Sequence, residues 1–188
     1  MRRDLIFIHS AGRQGGDNGS TRLLQRLDAA LSDRFRIIAP EMPDPERPDI
    51  DAWLSRIENT LLQASDGAVL VGHSLGGSTI LQYLARNPVI WRVNNRLSAV
   101  FVVAAPFWGL KDWEIDEFVL SANEVAVLSD CKTLCFCHGR DDEIVNFTHC
   151  QTYMRHCPHA RLITLDGTGH LMLGGDIAKL VDEILIYA

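Results

Sequence analysis

The chain has 188 residues, 47% hydrophobic and 22% charged, with 18 Lys and Arg against 24 Asp and Glu for a formal net charge of -6. That size and balance suit one globular domain spanning 1–188 and exclude disordered and fibrous classes. The acidic excess argues against a surface that tracks nucleic-acid phosphates and favours solubility.

The N-terminus reads "MRRDLIFIHSAG", two arginines ahead of the apolar run "LIFIH" at 5–9. That run is shorter than the roughly 7 to 15 apolar residues of a secretory signal, so it reads as a first strand. Nothing in the chain approaches the roughly 18 consecutive apolar residues of a membrane span. A cytoplasmic protein with no membrane partner is expected. A helix follows over 19–33, with Ser20 or Asn18 as its N-cap and Leu23, Leu24, Leu27 and Leu31 along one stripe.

The second strand, "RIIAP" at 36–40, runs into "APEMPDPERPD" at 39–49, whose four prolines bar a central strand or helix interior. A fixed loop is expected there. A helix over 51–64 carries Trp53 as a core residue, and "GAVLVG" at 67–72 reads as a third strand leading into a helix over 75–86. The fourth strand is "AVFVVAA" at 99–105, the fifth "KTLCFCH" at 132–138 and the sixth "RLITLD" at 161–166. Further helices are expected over 144–156 and 175–187. Near-continuous apolar strands alternating with amphipathic helices are the pattern of a parallel sheet covered on both faces. The expected fold class is α/β, with about six mostly parallel strands, helices on both faces and no large cap domain.

Cysteines at 131, 135, 137, 150 and 157 are odd in number and lack CxxC spacing, which reads as buried free thiols in a reducing compartment. "CFC" places Cys135 and Cys137 on one face of a strand, with too few ligands nearby to make a metal site.

In an open parallel sheet, ligands gather beyond the carboxyl ends of the strands. Four strands end there in residues with chemical potential: "HSAGRQGG" (9–16), "GHSLGG" (72–77), "HGRDDEIV" (138–145) and "GTGH" (167–170). In "GHSLGG" the string G-x-S-x-G lies between a strand and a helix, the context of a nucleophile elbow. A serine hydroxyl is a weak nucleophile and needs a base oriented by a third group. His170 and an aspartate of "RDD" can supply both, in the chain order Ser, Asp, His.

"GHSLGG", "HGRDDEIV" and "GTGH" resemble, in that order and over essentially the whole chain, the three active-site motifs of the α/β-hydrolase superfamily. With "EMPDP" (41–45) and "DAWLSRIE" (51–58) the chain is similar to the small, cap-less serine-hydrolase family that includes the retinoblastoma-binding serine hydrolase and bacterial relatives. The resemblance implies Ser74 as nucleophile, His170 as general base and Asp142 as orienting acid, Asp142 being preferred to Asp141 because H-G-x-x-D-x-x-V fits His138, Gly139, Asp142 and Val145. It implies an oxyanion hole from the backbone N–H of Leu75 and one from the loop after the first strand, Ala11. No metal or organic cofactor is implied. Two positions depart from the family: "HS" (His9, Ser10) stands for the usual "HG", and Asn146 for a common proline. The L-x-C-x-E signature of the animal protein is absent, "LQASD" (62–66) holding its place, so no protein partner is carried over.

Each residue also has an ordinary explanation. Ser74 can be a turn residue, His170 a surface histidine, and the acidic run 141–143 a solvated face. His9, His73 and His138 read as packing residues hydrogen-bonded to backbone, and His149, His156 and His159 as surface residues. Phe107, Trp108, Trp113 and Phe118, in the short excursion between the fourth and fifth strands, can line an apolar acyl pocket or simply pack it onto the body. The expected activity is hydrolysis of small carboxylic esters, thioesters or amides through an acyl-Ser74 intermediate, as in carboxylic-ester hydrolases. The alternative is a protein-binding module on a hydrolase scaffold.

Overall fold

The computed structural model describes residues 2–92, 96–111 and 113–188. Six strands, β1 (Arg3–Ile8), β2 (Phe35–Ile38), β3 (Ala68–His73), β4 (Leu97–Val103), β5 (Leu134–His138) and β6 (Arg161–Thr164), form one sheet. Their order is β2-β1-β3-β4-β5-β6, every pair parallel. The chain leaves β1 toward β2 on one side and resumes at β3 on the other. The crevice between the ends of β1 and β3 is therefore the switch point at which such sheets bind ligands.

Alternate strand residues face opposite layers, as the two-residue period of a strand requires. Leu5, Phe7, Val69, Val71, Phe101, Cys135 and Cys137 pack with α1 (Thr21–Leu31) and α7 (Ala178–Leu185) through Leu23, Leu27, Leu31, Leu180 and Ile184. Ile6, Ile8, Leu70, Val100, Val102 and Phe136 face the other layer, which contains α2 (Ile50–Gln63), α3 (Leu75–Arg86) and α6 (Thr148–His156). Cys135 and Cys137 thus share a face as expected, and all five cysteines are buried and free. Trp53 is fully buried, with its indole Nε1 donating to Pro43 O at 2.7 Å.

The excursion between β3 and β5 holds more structure than the sequence predicts: α4 (Val89–Arg92), a 3-10 turn at Asp116–Phe118, and α5 (Ala122–Ser129). A capping box starts α5, the Ser121 hydroxyl accepting from Glu124 N while the Glu124 carboxylate accepts from Ser121 N. The helix expected over 144–156 begins only at Thr148, because 142–146 form a tight turn. The helix expected over 175–187 begins at Ala178. No described helix is long and apolar enough to cross a membrane.

The helix α3 starts directly on top of β1. A Cβ at Gly76 would collide with Ile8 O and lie 2.5 Å from His9 O, both backbone atoms. At Gly77 the nearest atoms are the Ala105 Cβ at 2.9 Å, the Val102 Cγ1 at 3.0 Å and Gly72 O at 3.1 Å, looser contacts than the two backbone oxygens at Gly76. Gly76→Ala is therefore expected to destabilise the fold by roughly 3 kcal/mol or more, and Gly77→Ala by less. Urea denaturation of the two variants checks the order, and equal midpoints would mean that α3 can lift off β1.

Candidate active site

Ser74 lies between β3 and α3 with φ 54° and ψ -122°, a backbone conformation that L-residues rarely adopt. Its surroundings impose that conformation. Ser74 N donates to Val103 O at 2.8 Å, and Ser74 O accepts from Gly77 N and Ser78 N in the first turn of α3. A Cβ at Gly72 would lie 2.6 Å from Gly76 O, so the bend closes only with hydrogen on both sides. The hydroxyl stays accessible at the turn's apex.

His170 follows β6 in a loop that turns through Gly167 and Gly169, with φ +76° and +58°. Its Nε2 lies 3.1 Å from Ser74 Oγ and its Nδ1 2.8 Å from Asp142 Oδ2. Asp142 Oδ1 accepts from Ile144 N at 2.9 Å and Val145 N at 2.7 Å, while Oδ2 also lies 3.1 Å from His138 Nε2. Burial alone would raise the Asp142 pKa. The hydrogen bonds from His138 and His170, the charge His170 can carry and the Val145 amide together hold it well below the usual carboxylate range.

The neighbouring acids are exposed but also hold backbone. Asp141 accepts from Gly167 N and Gly169 N, each at 2.9 Å, and Glu143 Oε2 accepts from His170 N at 3.1 Å. Three consecutive carboxylates therefore hold one loop, and only Asp142 reaches the imidazole.

Ser74, His170, Ala11 and Leu75 line one cavity of about 510 Å3. The N–H groups of Ala11 and Leu75 have no acceptor among the described residues. Ser10 O, on the same peptide plane as Ala11 N, accepts from His9 Nδ1 at 2.7 Å and from Gln14 Nε2 at 3.2 Å. In a trans peptide the N–H points opposite to the C=O, so these two donors orient the Ala11 N–H. His9 Nε2 in turn accepts from Met42 N at 3.1 Å, and Gly12 N donates to Pro45 O at 2.6 Å, which ties the proline-rich loop to the same corner.

Trp108, Trp113, Ile115, Phe118, Ile144 and Leu171 supply apolar wall to this cavity. Trp108 packs edge-on to Trp113 at 5.2 Å and against Phe118 at 5.0 Å between ring centroids. Phe107 does not line it, contrary to the sequence reading. Successive residues of an extended segment face opposite ways, and Phe107 turns from the cavity to pack on Tyr153 and stack on His156. Arg13, which the sequence reading missed, is the one charged side chain of the arginine, lysine and carboxylate types on this cavity and forms no ion pair among the described residues. Cavities of about 600 and 830 Å3 lie elsewhere on the described surface, without Ser74 or His170.

Two further expectations need correcting. His149 is buried, not a surface residue: its Nδ1 accepts from Phe107 N at 3.0 Å and its ring meets Trp113 edge-on. Ser20 occupies the cap position of α1 but makes no capping bond. Its hydroxyl lies instead 2.8 Å from His73 Nδ1 and accepts from Ser10 N at 2.7 Å. His73 bonds to backbone as expected, its Nε2 lying 2.9 Å from His170 O.

Full burial, then repulsion from His170, pushes His73 down to about 3. A histidine that is neutral when folded and free to protonate when unfolded adds stability above its ordinary value of 6.5 and loses it as pH falls toward the folded value. Between those limits His73 alone should cost about 1.4 kcal/mol per pH unit. Urea midpoints measured from pH 7 to 5 should fall, and His73→Gln should flatten the slope. An unchanged slope would mean that His73 takes up its proton in the folded protein.

Among curated proteins none matches the chain significantly. Solved structures share its fold at low identity. The ydeN gene product of B. subtilis is 21% identical, with 98% of each chain covered and a TM-score of 0.75. The serine hydrolase CCSP0084 of Cycloclasticus zankles is 15% identical over 98% of this chain and 89% of that one, with a TM-score of 0.73. A meta-cleavage product hydrolase of Pseudomonas fluorescens IP01 is also 15% identical, over 98% and 90%, with a TM-score of 0.72. The family described as serine hydrolase matches residues 20–178. With its parallel α/β-hydrolase sheet, the chain belongs to the serine hydrolase family.

Proposed function

We propose that this hydrolase cleaves small carboxylic esters through an acyl-Ser74 intermediate, within one α/β-hydrolase domain over 1–188. The observation that carries the reading is the unbroken hydrogen-bonded line from Asp142 Oδ2 through His170 to Ser74 Oγ, at 2.8 and 3.1 Å, ending at a strained, accessible hydroxyl. His170 Nδ1–H donates to Asp142, so Nε2 presents its lone pair to the serine.

Ser74 Oγ attacks the acyl carbon as its proton passes to His170 Nε2, and the carbonyl oxygen takes the negative charge between the N–H groups of Leu75 and Ala11. His170 returns that proton to the leaving oxygen as the C–O bond breaks. Water then gives a proton to Nε2 and attacks the acyl carbon; the acid departs, and Ser74 regains its proton. Asp142 stabilises the imidazolium at both stages without taking its proton. Thioesters and activated amides fit the same cycle.

The cavity supports apolar acyl groups larger than acetyl, since about 510 Å3 with aromatic walls is of the size that holds small-molecule ligands. With Arg13 as its charged side chain, cationic substrates are disfavoured. The rival reading, a protein-binding module with little activity, draws on the departure "HS" at the oxyanion loop. The bonds that His9 and Gln14 make to Ser10 O weaken that objection.

Labelling by a fluorophosphonate probe separates the two. Wild type is expected to react and Ser74→Ala not to, whereas absent labelling of wild type would sink the hydrolase reading. Ser74→Ala and His170→Ala should lower kcat on the order of 10^4 or more, and Asp142→Asn by about 10^4. Asp141→Asn, which touches only the backbone of the loop, should cost far less. A ranking with Asp141 the more damaging would reverse the assignment of the acid. Across an ester panel blanked with Ser74→Ala, butyryl and hexanoyl esters should react at least as well as acetyl, and choline esters poorly. A preference for palmitoyl over butyryl esters would count against the small-ester assignment.

A further inference from the structure

Ser10, Ser20, His73 and His170 form a second buried polar line, separate from the one that ends at Asp142. Ser10 N lies 2.7 Å from Ser20 Oγ, Ser20 Oγ 2.8 Å from His73 Nδ1, and His73 Nε2 2.9 Å from His170 O. All four residues are at most 5% exposed. The two ends fix every proton between them. A backbone carbonyl only accepts, so His73 Nε2 carries hydrogen. Burial disfavours a second ring proton, which leaves Nδ1 as an acceptor. The Ser20 hydroxyl must then donate to Nδ1, and its oxygen accepts from Ser10 N–H. Each hydrogen in the line thus has one donor and one acceptor, the Ser20 hydroxyl serving once as each.

The line joins two segments that differ in function. Ser10 immediately precedes Ala11, which lines the cavity and whose N–H has no acceptor among the described residues, and His170 is the base of the proposed reaction. In the sheet β3, β4 and β5 lie between β1 and β6, and His73 ends β3 beside Ser74. Helix capping would have used Ser20 locally. Its hydroxyl instead spans 53 positions of sequence to reach His73.

We propose that Ser20 and His73 are positioning residues that lock the oxyanion loop and the His170 loop to each other, so that the hole and the base hold one mutual geometry. This inference rests on the hydrolase reading above. In the Michaelis complex both loops act on the same carbonyl group, the Ala11 N–H on its oxygen and His170 on the attacking hydroxyl. Removing the Ser20 hydroxyl leaves Ser10 N–H and His73 Nδ1 without partners and lets the two loops shift independently. Displacements of about 1 Å at such sites cost on the order of a hundredfold in rate.

The test compares Ser20→Ala, Ser20→Thr, His73→Gln and the double variant Ser20→Ala/His73→Gln on p-nitrophenyl butyrate, each checked for folding by its thermal transition. Ser20→Ala is expected to lower kcat about tenfold to a hundredfold with KM changed less than about twofold. Ser20→Thr, which keeps a hydroxyl at the same place, should recover most of that loss. The double variant should be no worse than about threefold below the poorer single one, because both break one line. A folded Ser20→Ala with wild-type kcat, a loss confined to KM, a loss that threonine leaves unrestored, or additive effects of the two substitutions would each overturn the inference. If Ser20→Ala does not fold, a folded His73→Gln with unaltered kcat overturns it as well. An inactive, unlabelled wild type strikes at the hydrolase reading instead, so the two failures are distinguishable.

Discussion

The site depends on how closely the start of α3 approaches the end of β1. Gly76 rests on the carbonyl oxygens of Ile8 and His9 with no room for a methyl group, and that contact fixes the geometry of the elbow. It forces the chain to turn within one residue, so Ser74 takes a positive φ. It also brings the unbonded N–H groups of the first turn of α3 beside the loop that leaves β1. Ser74 and the N–H groups of Leu75 and Ala11 thus meet at the switch point of the sheet because two backbones touch there. The strain at Ser74 is offset by the sheet and helix on either side, each held by its own core layer.

Around this contact the structure uses neutral imidazoles as rigid connectors. His9 and His73 lie on consecutive parts of the same corner and carry their protons on different nitrogens. His9 donates from Nδ1 to Ser10 O and accepts at Nε2, whereas His73 donates from Nε2 to His170 O and accepts at Nδ1. Both have depressed proton affinity, chiefly because burial penalises the charged form. A neutral ring with one donor and one acceptor at fixed separation can join two backbone segments without bringing a charge near His170.

Much of this was legible in the sequence, and the reasons are physical. Six strands covered on both faces must be apolar throughout, so "AVLV" and "FVV" announced a parallel sheet without any knowledge of contacts. The elbow was legible because glycines at 72 and 76 answer a steric demand local to the turn. The excursion between β4 and β5 was harder. Its helices are short, and a single turn of periodicity does not distinguish helix from loop, although S-A-N-E at 121–124 was a readable cap. Phe107 was misjudged because sequence shows that an aromatic is present and not which side of an extended segment it faces. His149 and Ser20 had no local signal at all. Their partners, Phe107 N and His73 Nδ1, are 42 and 53 positions away, and the rule that serine caps helices gave way to a tertiary hydrogen bond.

The acidic run beside His170 bears on how freely this surface can vary. Asp141 and Glu143 are exposed, and by solvent contact alone they resemble interchangeable solubilising charges. Asp141 nevertheless holds the N–H groups of Gly167 and Gly169, and Glu143 that of His170, with Asp142 between them matched to the ring. Inserting or deleting a single residue within 141–143 would shift every carboxylate to its neighbour's task. The tripeptide is therefore a unit of alignment, tolerant of little change in length even where its side chains are open to water.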